Sequence, residues 1–176
     1  AIVGATGAGK STIINLLSRF YEINGGGIFV DDAPINDYTL KSLRNHIAVV
    51  LQDVFLFADT ILNNITLNNP EISEEDVTAA AKEIGVHKFI SSLPKGYHYN
   101  VKERGVMLSS GQRQLLAFLR AYVSKPSILI LDEATSSIDS YSEEMIQMAT
   151  EKITKGRTSI VIAHRLATIK KADKII

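Results

Sequence analysis

A glycine-rich loop between a short apolar strand and an amphipathic stretch constrains the fold of this chain more than any other feature. Glycines let backbone N–H groups turn inward around an anion, and the helix that follows directs its positive end to the same place. This arrangement predicts the opening strand, loop and helix of an α/β fold that binds phosphate. A glycine-rich turn that binds nothing is the alternative, and full agreement with the phosphate-loop pattern weighs against it. The loop consists of Gly4, Ala5, Thr6, Gly7, Ala8, Gly9, Lys10 and Ser11.

Three side chains at the end of this loop carry the predicted chemistry. Lys10 supplies a positive charge to the outer phosphates of a nucleotide. Ser11 places its hydroxyl on Mg²⁺, and Thr12 holds the first turn of the helix or contacts an inner phosphate. The whole range 4–12 is therefore predicted to surround nucleotide phosphates.

The overall composition leaves any anion site to local chemistry. The 176 residues include 19 Lys and Arg and 19 Asp and Glu, so no basic surface for nucleic acid is expected. There is no cysteine, which excludes disulfides and cysteine ligands. The apolar runs are shorter than the ~20 residues that a membrane-spanning helix needs. Because the chain lacks an initiating Met and both its ends are short apolar runs, we expect it to be part of a longer polypeptide.

Nearly unbroken apolar runs predict the strands of a mainly parallel sheet. Residues 128–131 and 158–163 have the continuous apolar character of strands that are covered on both faces. Shorter runs bounded by turn residues predict two more strands, at residues 28–30 and 47–51, with a turn at residues 31–34.

Capping residues predict two helices beyond the one that follows the loop. Ser73 is the expected N-cap of the first, with Asp76 completing a capping box and Gly85 ending the helix. A further helix is expected to begin just after Gly111 and to end before Pro126. The expected apolar faces are Val77, Ala80, Ala81 and Ile84 in the first, Leu115, Leu119 and Tyr122 in the second, and Ile13, Leu16, Leu17 and Phe20 after the loop.

Polar side chains follow three of the predicted strands at their carboxyl ends, where α/β sheets bind ligands. Asp132 is predicted to hold Mg²⁺ through a water molecule, and Glu133 to orient or deprotonate the attacking water. His164 is predicted to hydrogen-bond a terminal phosphate, and Gln52 to contact Mg²⁺ or the attacking water. Taken singly, these residues have ordinary alternatives: a solvated or capping carboxylate, a structural histidine and a surface glutamine. Beside a phosphate loop, the catalytic interpretation of the two carboxylates is favoured.

A second cluster of anion-binding groups precedes the helix that contains Leu115. Two hydroxyls, a glycine and bare N–H groups lie at the positive end of that helix, in the segment Leu108–Gln112. Local sequence favours an ordinary N-cap. The phosphate loop already has a helix of its own, however, so a second anion-ready helix end suggests that another protomer supplies the nucleotide. The residues concerned are Ser109, Ser110, Gly111 and Gln112.

Together and in this order, these elements resemble an ATP-binding cassette (ABC) ATPase, and the resemblance covers essentially the whole chain. It implies an α/β P-loop NTPase core with a mainly parallel sheet at residues 1–52 and 126–176. It also implies an inserted α-helical subdomain at residues 53–125, which accounts for the long gap between the loop and Asp132.

The same resemblance implies a composite ATP site in a head-to-tail dimer. Each ATP is held between one phosphate loop and the signature segment, residues 109–112, of a second nucleotide-binding domain, which is either identical or different. Asp139 belongs to the loop that follows the two carboxylates. The implied catalytic residues are Glu133, His164 and Gln52, and the implied Mg²⁺ ligands are Ser11, Gln52 and, through water, Asp132.

Several segments are similar to exporter-type cassettes, which implies a transmembrane domain on the same polypeptide and a position at the cytoplasmic face of a membrane. In that family Glu103 and Arg104 would lie near the coupling helices of the membrane domain, although in isolation they are a solvated charge pair. The similar segments are residues 52–57, 64–65, 93–97 and 101–105.

The chain departs from the family pattern at two positions, and two other functions stay open. Ser110 stands where the family usually has glycine, and Leu51 where it usually has proline. The aromatic residue that stacks on adenine would precede this chain. The alternatives are an ABC ATPase that acts on DNA or ribosomes, and an ATP-binding module that hydrolyses weakly as one half of a heterodimer.

Overall fold

A computed structural model describes residues 1–132, 140–163 and 166–176, without the side chains of residues 140, 141, 166 and 167. Short 3₁₀ turns lie at Ile35–Asp37, Gly96–His98 and Glu103–Gly105. The helices and strands are, in chain order, α1 (Lys10–Leu17), β1 (Phe29–Val30), β2 (Ala33–Pro34), α2 (Leu40–His46), β3 (Ile47–Val50), α3 (Ile61–Thr66), α4 (Glu74–Glu83), α5 (His87–Ser92), α6 (Ser110–Val123), β4 (Ile128–Asp132), α7 (Ser140–Thr154), β5 (Thr158–Ile162) and α8 (Leu166–Lys170).

The main sheet is parallel, with strand order β3-β4-β5. The start of the chain extends it beyond β5, where Ile2 forms a parallel bridge to Ile162. The Ile2 N–H donates to the Val161 carbonyl at 2.8 Å, and the Ala163 N–H donates to the Ile2 carbonyl at 3.1 Å. The predicted strands at residues 47–51, 128–131 and 158–163 are confirmed to within one residue at their ends.

The two faces of this sheet pack against different groups of helices. In β4, Leu129 and Leu131 belong to a large cluster that includes buried residues of α3, α4, α6 and α7. Ile130, between them, belongs to a smaller cluster with Ile14 of α1 and Leu43 of α2. Because both faces are covered, the strand is apolar at successive positions, as its sequence predicts.

Helix α4 has the cap that its sequence predicts. The Ser73 Oγ accepts the Asp76 N–H at 3.1 Å, and Asp76 Oδ2 accepts the Ser73 N–H at 3.0 Å. Gly85 follows the helix with φ +87°, the left-handed conformation that favours glycine. The expected apolar face is buried: Val77, Ala80, Ala81 and Ile84.

The regular elements described between the sheet strands β3 and β4 are helices and 3₁₀ turns, and the longest of these helices is α6. This helix packs on α3, α4, α7 and β3, and it begins at Ser110, whereas its start was predicted just after Gly111. The cluster that these helices form continues onto one face of β4 without interruption. The division at residues 53 and 125 therefore stays a prediction.

The end of α1 differs from the sequence expectation. The helix stops at Leu17 rather than continuing through Phe20, because Arg19 adopts a left-handed conformation with φ 49°. Phe20 is exposed, and the centroid of its ring lies 5.0 Å from the Arg44 guanidinium carbon. The buried residue of α1 is Ile14, and the neighbouring Ile13 is exposed. The predicted face was thus wrong at Ile13 and at Phe20.

The expected turn at residues 31–34 is also shorter than predicted. Its two central residues, Asp31 and Asp32, both have positive φ, at 48° and 65°. Ala33 and Pro34 form β2, which pairs antiparallel with β1. Two left-handed residues are what a tight two-residue hairpin turn requires, so the chain reverses immediately after β1.

No helix was predicted for residues 140–154, where the structure has α7. Met145, Ala149 and Ile153 are buried at the four-residue spacing of a helix face, so the signal was present in the sequence. At 15 residues α7 is the longest helix described. Within the described ranges, none of the helices combines the length and apolarity needed to span a bilayer.

Candidate nucleotide-binding site

The phosphate loop leaves the sheet at the edge where the strands end. Ile2 lies opposite Ile162 in β5, and Ile162 lies opposite Asp132 in β4. In the next strand Val50 lies opposite Leu131. Because neighbouring strands are ~4.8 Å apart, the Cα atoms of Ile2 and Asp132 are separated by about 10 Å. The register thus brings the loop and Asp132 to one edge of the sheet.

Two glycines give the loop its shape. Gly7 has φ +84° and Gly9 has φ +90°, and Gly9 is the N-cap of α1. Among the described residues, no heavy atom lies within 4 Å of the position where a Cβ of either glycine would be. A side chain would therefore fit at either position. Glycine is needed there for its backbone conformation, because an L-residue with such a positive φ costs roughly 1–2 kcal/mol.

Lys10 folds back over the loop that precedes it. Its ammonium Nζ donates to the carbonyl oxygens of Gly4 and Ala5, both at 2.9 Å. An ammonium has three N–H donors, so two are used inside the loop. A positive charge is thereby fixed within the turn formed by the backbone.

The first turn of α1 lacks an internal cap. Gly9 offers no side chain, no side-chain cap bond forms in the described part of the chain, and the first turn contains no acidic residue. Ser11 and Thr12 are exposed there. The first N–H groups of a helix have no partners within the helix, and its N-terminus has a positive partial charge. This helix end is suited to an anion.

The three predicted Mg²⁺ ligands come from three elements that end or begin at this edge. Ser11 is in the first turn of α1, Asp132 is the partly buried last residue of β4, and Gln52 is exposed two residues after β3. A hydroxyl, a carboxylate and an amide offer oxygen donors, which Mg²⁺ prefers. The donor set fits the ion, and the individual roles stay predictions.

Three other predicted residues lie outside the described residues: Glu133, Asp139 and His164. The chain directly before two of them is described. Asp132 ends β4, and Ala163 donates its N–H to Ile2 beside the phosphate loop. Catalytic roles for Glu133 and His164, and the place of Asp139 in the loop after the two carboxylates, remain predictions.

The signature segment forms a closed capping box at the start of α6. Ser109 Oγ accepts the Gln112 N–H at 3.2 Å, and Gln112 Oε1 accepts the Ser109 N–H at 2.9 Å. Ser109 and Ser110 are exposed, whereas Gly111 is buried. The N-cap interpretation is thus confirmed, and it leaves the Ser109 hydroxyl proton able to donate to an outside oxygen.

A groove of about 780 Å³ opens beside the end of β3, and it was not predicted. Phe55 and Phe57 form one wall, each 54% exposed, with rings edge to face at 5.1 Å. Leu51 and Leu67 also line the groove and are exposed. The available signal was an apolar run at residues 54–57 directly after Gln52, in which alternate residues face outward without forming a strand.

Comparisons with known proteins identify the family of this chain. Residues 1–136 match the family model described as ABC transporter. The chain is 53% identical over all 176 residues to an uncharacterized ABC transporter ATP-binding protein, YknV, of Bacillus subtilis strain 168, covering 29% of that protein. It is 48% identical over its full length to a putative multidrug export ATP-binding/permease protein, YgaD, of the same strain, covering 30% of it.

A solved structure shows the same fold. The ATP-bound structure of a bacterial Atm1-family ABC exporter superposes with a TM-score of 0.89 at 44% identity, covering 99% of this chain and 31% of that one. This likeness confirms the α/β P-loop fold. The chain thus spans less than a third of the length of the relatives and the structure that it matches. It belongs to the ABC transporter family, in which it is an ATP-binding ATPase domain.

Proposed function

We propose that this domain binds Mg·ATP and uses its hydrolysis to power export through an attached membrane domain. The observation that carries the proposal is the phosphate loop, with Lys10 folded over its left-handed glycine turn, at the same sheet edge as Asp132. Matches to transporter proteins support export over an ATPase that acts on DNA or ribosomes.

In this proposal the loop holds the β- and γ-phosphates through backbone N–H groups and the Lys10 ammonium. Ser11, Gln52 and, through water, Asp132 would hold Mg²⁺, which would supply positive charge beside these phosphates. Glu133 orients a water molecule and accepts its proton as the water oxygen attacks the γ-phosphorus and the bond to the β-phosphate oxygen breaks. The products are ADP and phosphate, and His164 donates a hydrogen bond to a γ-phosphate oxygen.

The second half of the ATP site is proposed to come from another nucleotide-binding domain. The exposed start of α6 supports this, since it presents the Ser109 hydroxyl and contains no acidic residue in its first turn. An anion is therefore not repelled there. ATP bound to one loop would be closed by the signature segment of the second domain, with Asp139 at the contact between them.

The membrane domain is proposed to be part of the same polypeptide and to dock in the groove beside β3. The groove wall of Phe55 and Phe57 is apolar and exposed. The turn at Glu103–Gly105 lies against the same segment, because a Cβ on Gly105 would come within 2.8 Å of Leu56 Cδ1. One apolar surface with charged Glu103 and Arg104 beside it suits a partner that crosses a membrane, with this domain on the cytoplasmic face.

Glu133→Gln in the full-length protein tests the proposed chemistry. Because the amide cannot accept the proton, we expect ATP turnover to fall by about 100-fold or more while ATP binding is retained. Phosphate release and calorimetric ATP titration measure the two properties. Glu144→Gln, an exposed glutamate on α7, is the matched control and should change neither. Unchanged hydrolysis by Glu133→Gln would contradict the assignment of Glu133 as the base.

Phe57→Asp tests the docking surface. A charge on the apolar wall should lower ATP turnover of the full-length protein severalfold without changing its affinity for ATP. Phe29→Asp is the control, since Phe29 is also an exposed phenylalanine, at 62% against 54% for Phe57, and lies outside the groove. Equal effects of the two substitutions would contradict docking at the groove.

A further inference from the structure

The backbone of the groove wall is held by a buried amide that has no role in the chemistry above. Asn64 of α3 is 1% exposed. Its Oδ1 accepts the Phe57 N–H at 2.8 Å, and its Nδ2 donates to the carbonyls of Phe57 at 3.1 Å and Thr60 at 3.0 Å. One side chain thus satisfies both backbone groups of Phe57, as a neighbouring strand would.

A second tie reaches the same segment from α6. The Arg120 Nε donates to the Asn64 carbonyl at 2.8 Å, and both Nη atoms lie 3.4 Å from the Phe55 carbonyl. Burial lowers the pKa of Arg120, and no described carboxylate lies within 4 Å of it. Carbonyl oxygens at the end of α3 and in the wall therefore balance this charge.

The residue between the two phenylalanines is fixed from the opposite side. Leu56 is fully buried, and a Cβ atom placed on Gly105 would lie 2.8 Å from its Cδ1. The Arg113 side chain packs against Gly105 from α6, at 3.2 Å by the same measure. The wall is thus joined to α6 at two points, and the first turn of α6 carries the signature segment.

We propose that Asn64 and Arg120 are positioning residues that hold the Phe55–Phe57 wall in a fixed relation to α6. The inference rests on the proposed function, because it assumes that the membrane domain docks on this wall. Movement of the docked partner would then be passed to the signature segment through α6 as one body. Neither residue contacts the phosphate loop in this role, so ATP affinity does not depend on them.

If Asn64 positions the wall, removing its side chain should loosen the backbone of the wall but not that of α4 and α6. In Asn64→Ala full-length protein, the Phe57 amide loses its acceptor while the apolar packing of α4 and α6 is kept. Hydrogen exchange at Phe57 should become about tenfold faster, with α4 and α6 unchanged. ATP turnover should fall severalfold while KM for ATP stays within about twofold, since Asn64 does not contribute to ATP binding.

Two further variants complete the test by hydrogen exchange and steady-state ATPase measurements. Asn69→Ala is the control: this exposed asparagine accepts the Glu71 N–H at 3.0 Å and is not among the residues that line the groove. Arg120→Lys keeps the charge, but one ammonium cannot span the Asn64 and Phe55 carbonyls, so exchange in residues 55–57 should be intermediate.

Three results would overturn the inference: unchanged exchange at Phe57 in Asn64→Ala, equal loosening throughout residues 61–123, or a parallel rise in KM. The unaltered protein is measured alongside. If it fails to hydrolyse ATP, the proposed function fails, whereas exchange at Phe57 still decides whether Asn64 positions the wall.

Discussion

The helix starts of α1 and α6 are both rich in serine and glycine and both are predicted to face nucleotide phosphates, yet they are built differently. Helix α1 begins at a left-handed Gly9 without a side-chain cap. Helix α6 begins in a closed box between Ser109 and Gln112. The first therefore leaves its first N–H groups to water or an anion, whereas the box at the second satisfies the N–H groups of Ser109 and Gln112.

Helix α4 provides a comparison for the start of α6. It has the same kind of box, between Ser73 and Asp76. Its first turn, however, contains Glu74, Glu75 and Asp76, whereas the first turns of α1 and α6 contain no acidic residue. A capping box alone is thus no sign of a ligand site. The first turns of α2, α3 and α5 also lack acidic residues, so the absence of negative charge at α1 and α6 permits an anion without marking a site.

The largest effect is expected from removing the charge beside the uncapped helix. Lys10→Ala should lower ATP turnover by about 100- to 1,000-fold, as loss of one preorganised electrostatic group does. Lys41→Ala, an exposed lysine on α2, is the control. Phosphate release by the full-length protein measures both, and similar rates in the two variants would contradict a role for Lys10 at the phosphates.

A smaller effect is expected from changing the backbone of the loop. Gly9→Ala places an L-residue at φ +90°, which costs roughly 1–2 kcal/mol, so ATP affinity should fall about 5- to 30-fold. Gly25 has neither a positive φ nor a neighbour near its Cβ position. Gly25→Ala should bind ATP normally in calorimetric titration. Equal binding by both variants would mean that the left-handed turn is not required.

Replacing the two capping serines separates stability from function. Ser109→Ala and Ser73→Ala should each lower the free energy of unfolding by about 1 kcal/mol, because each removes one N-cap. Only Ser109→Ala should also lower ATP turnover, by a fewfold, since its hydroxyl is proposed to meet the second domain's ATP. Thermal unfolding and phosphate release distinguish these outcomes. Equal turnover in the two variants would make Ser109 a structural cap alone.

The smallest effect concerns pH. Hydrogen bonds from the Ser73 hydroxyl and N–H hold the pKa of Asp76 below its usual value. The bonded carboxylate therefore stabilises α4 above the unfolded pKa of about 3.9, and this contribution is lost as pH falls through the lower folded pKa. The α6 box uses uncharged Gln112. Amide protection should decrease in acid at the start of α4 before it does so at α6, and Asp76→Asn should abolish this difference.

Features encoded by short stretches were predictable from the sequence. The apolar run at residues 128–131 gave β4 because both of its faces are covered, and Ser73 with Asp76 gave the start of α4. The phosphate loop follows from its glycines. Its relation to Asp132 depends on sheet register, which parallel strands with a common ligand-binding edge made predictable.

Features that depend on distant partners were missed. The groove wall is held by Arg120, 65 residues after Phe55 in the chain. The early end of α1 depends on Arg19, whose guanidinium donates to the Tyr38 carbonyl at 3.0 Å. Neither contact leaves a local pattern in the sequence, because the bonded groups are backbone carbonyls that every residue has.

The central claim is that the two helix starts act on one ATP from different nucleotide-binding domains. Ala8→Cys and Ser110→Cys are introduced together into full-length Glu133→Gln protein, with any other cysteines replaced by serine, since this domain contains none. Addition of Mg·ATP and a short thiol cross-linker should join two chains, and Lys10→Ala should prevent it. A cross-link within one chain, or one that forms equally without ATP, would contradict the account.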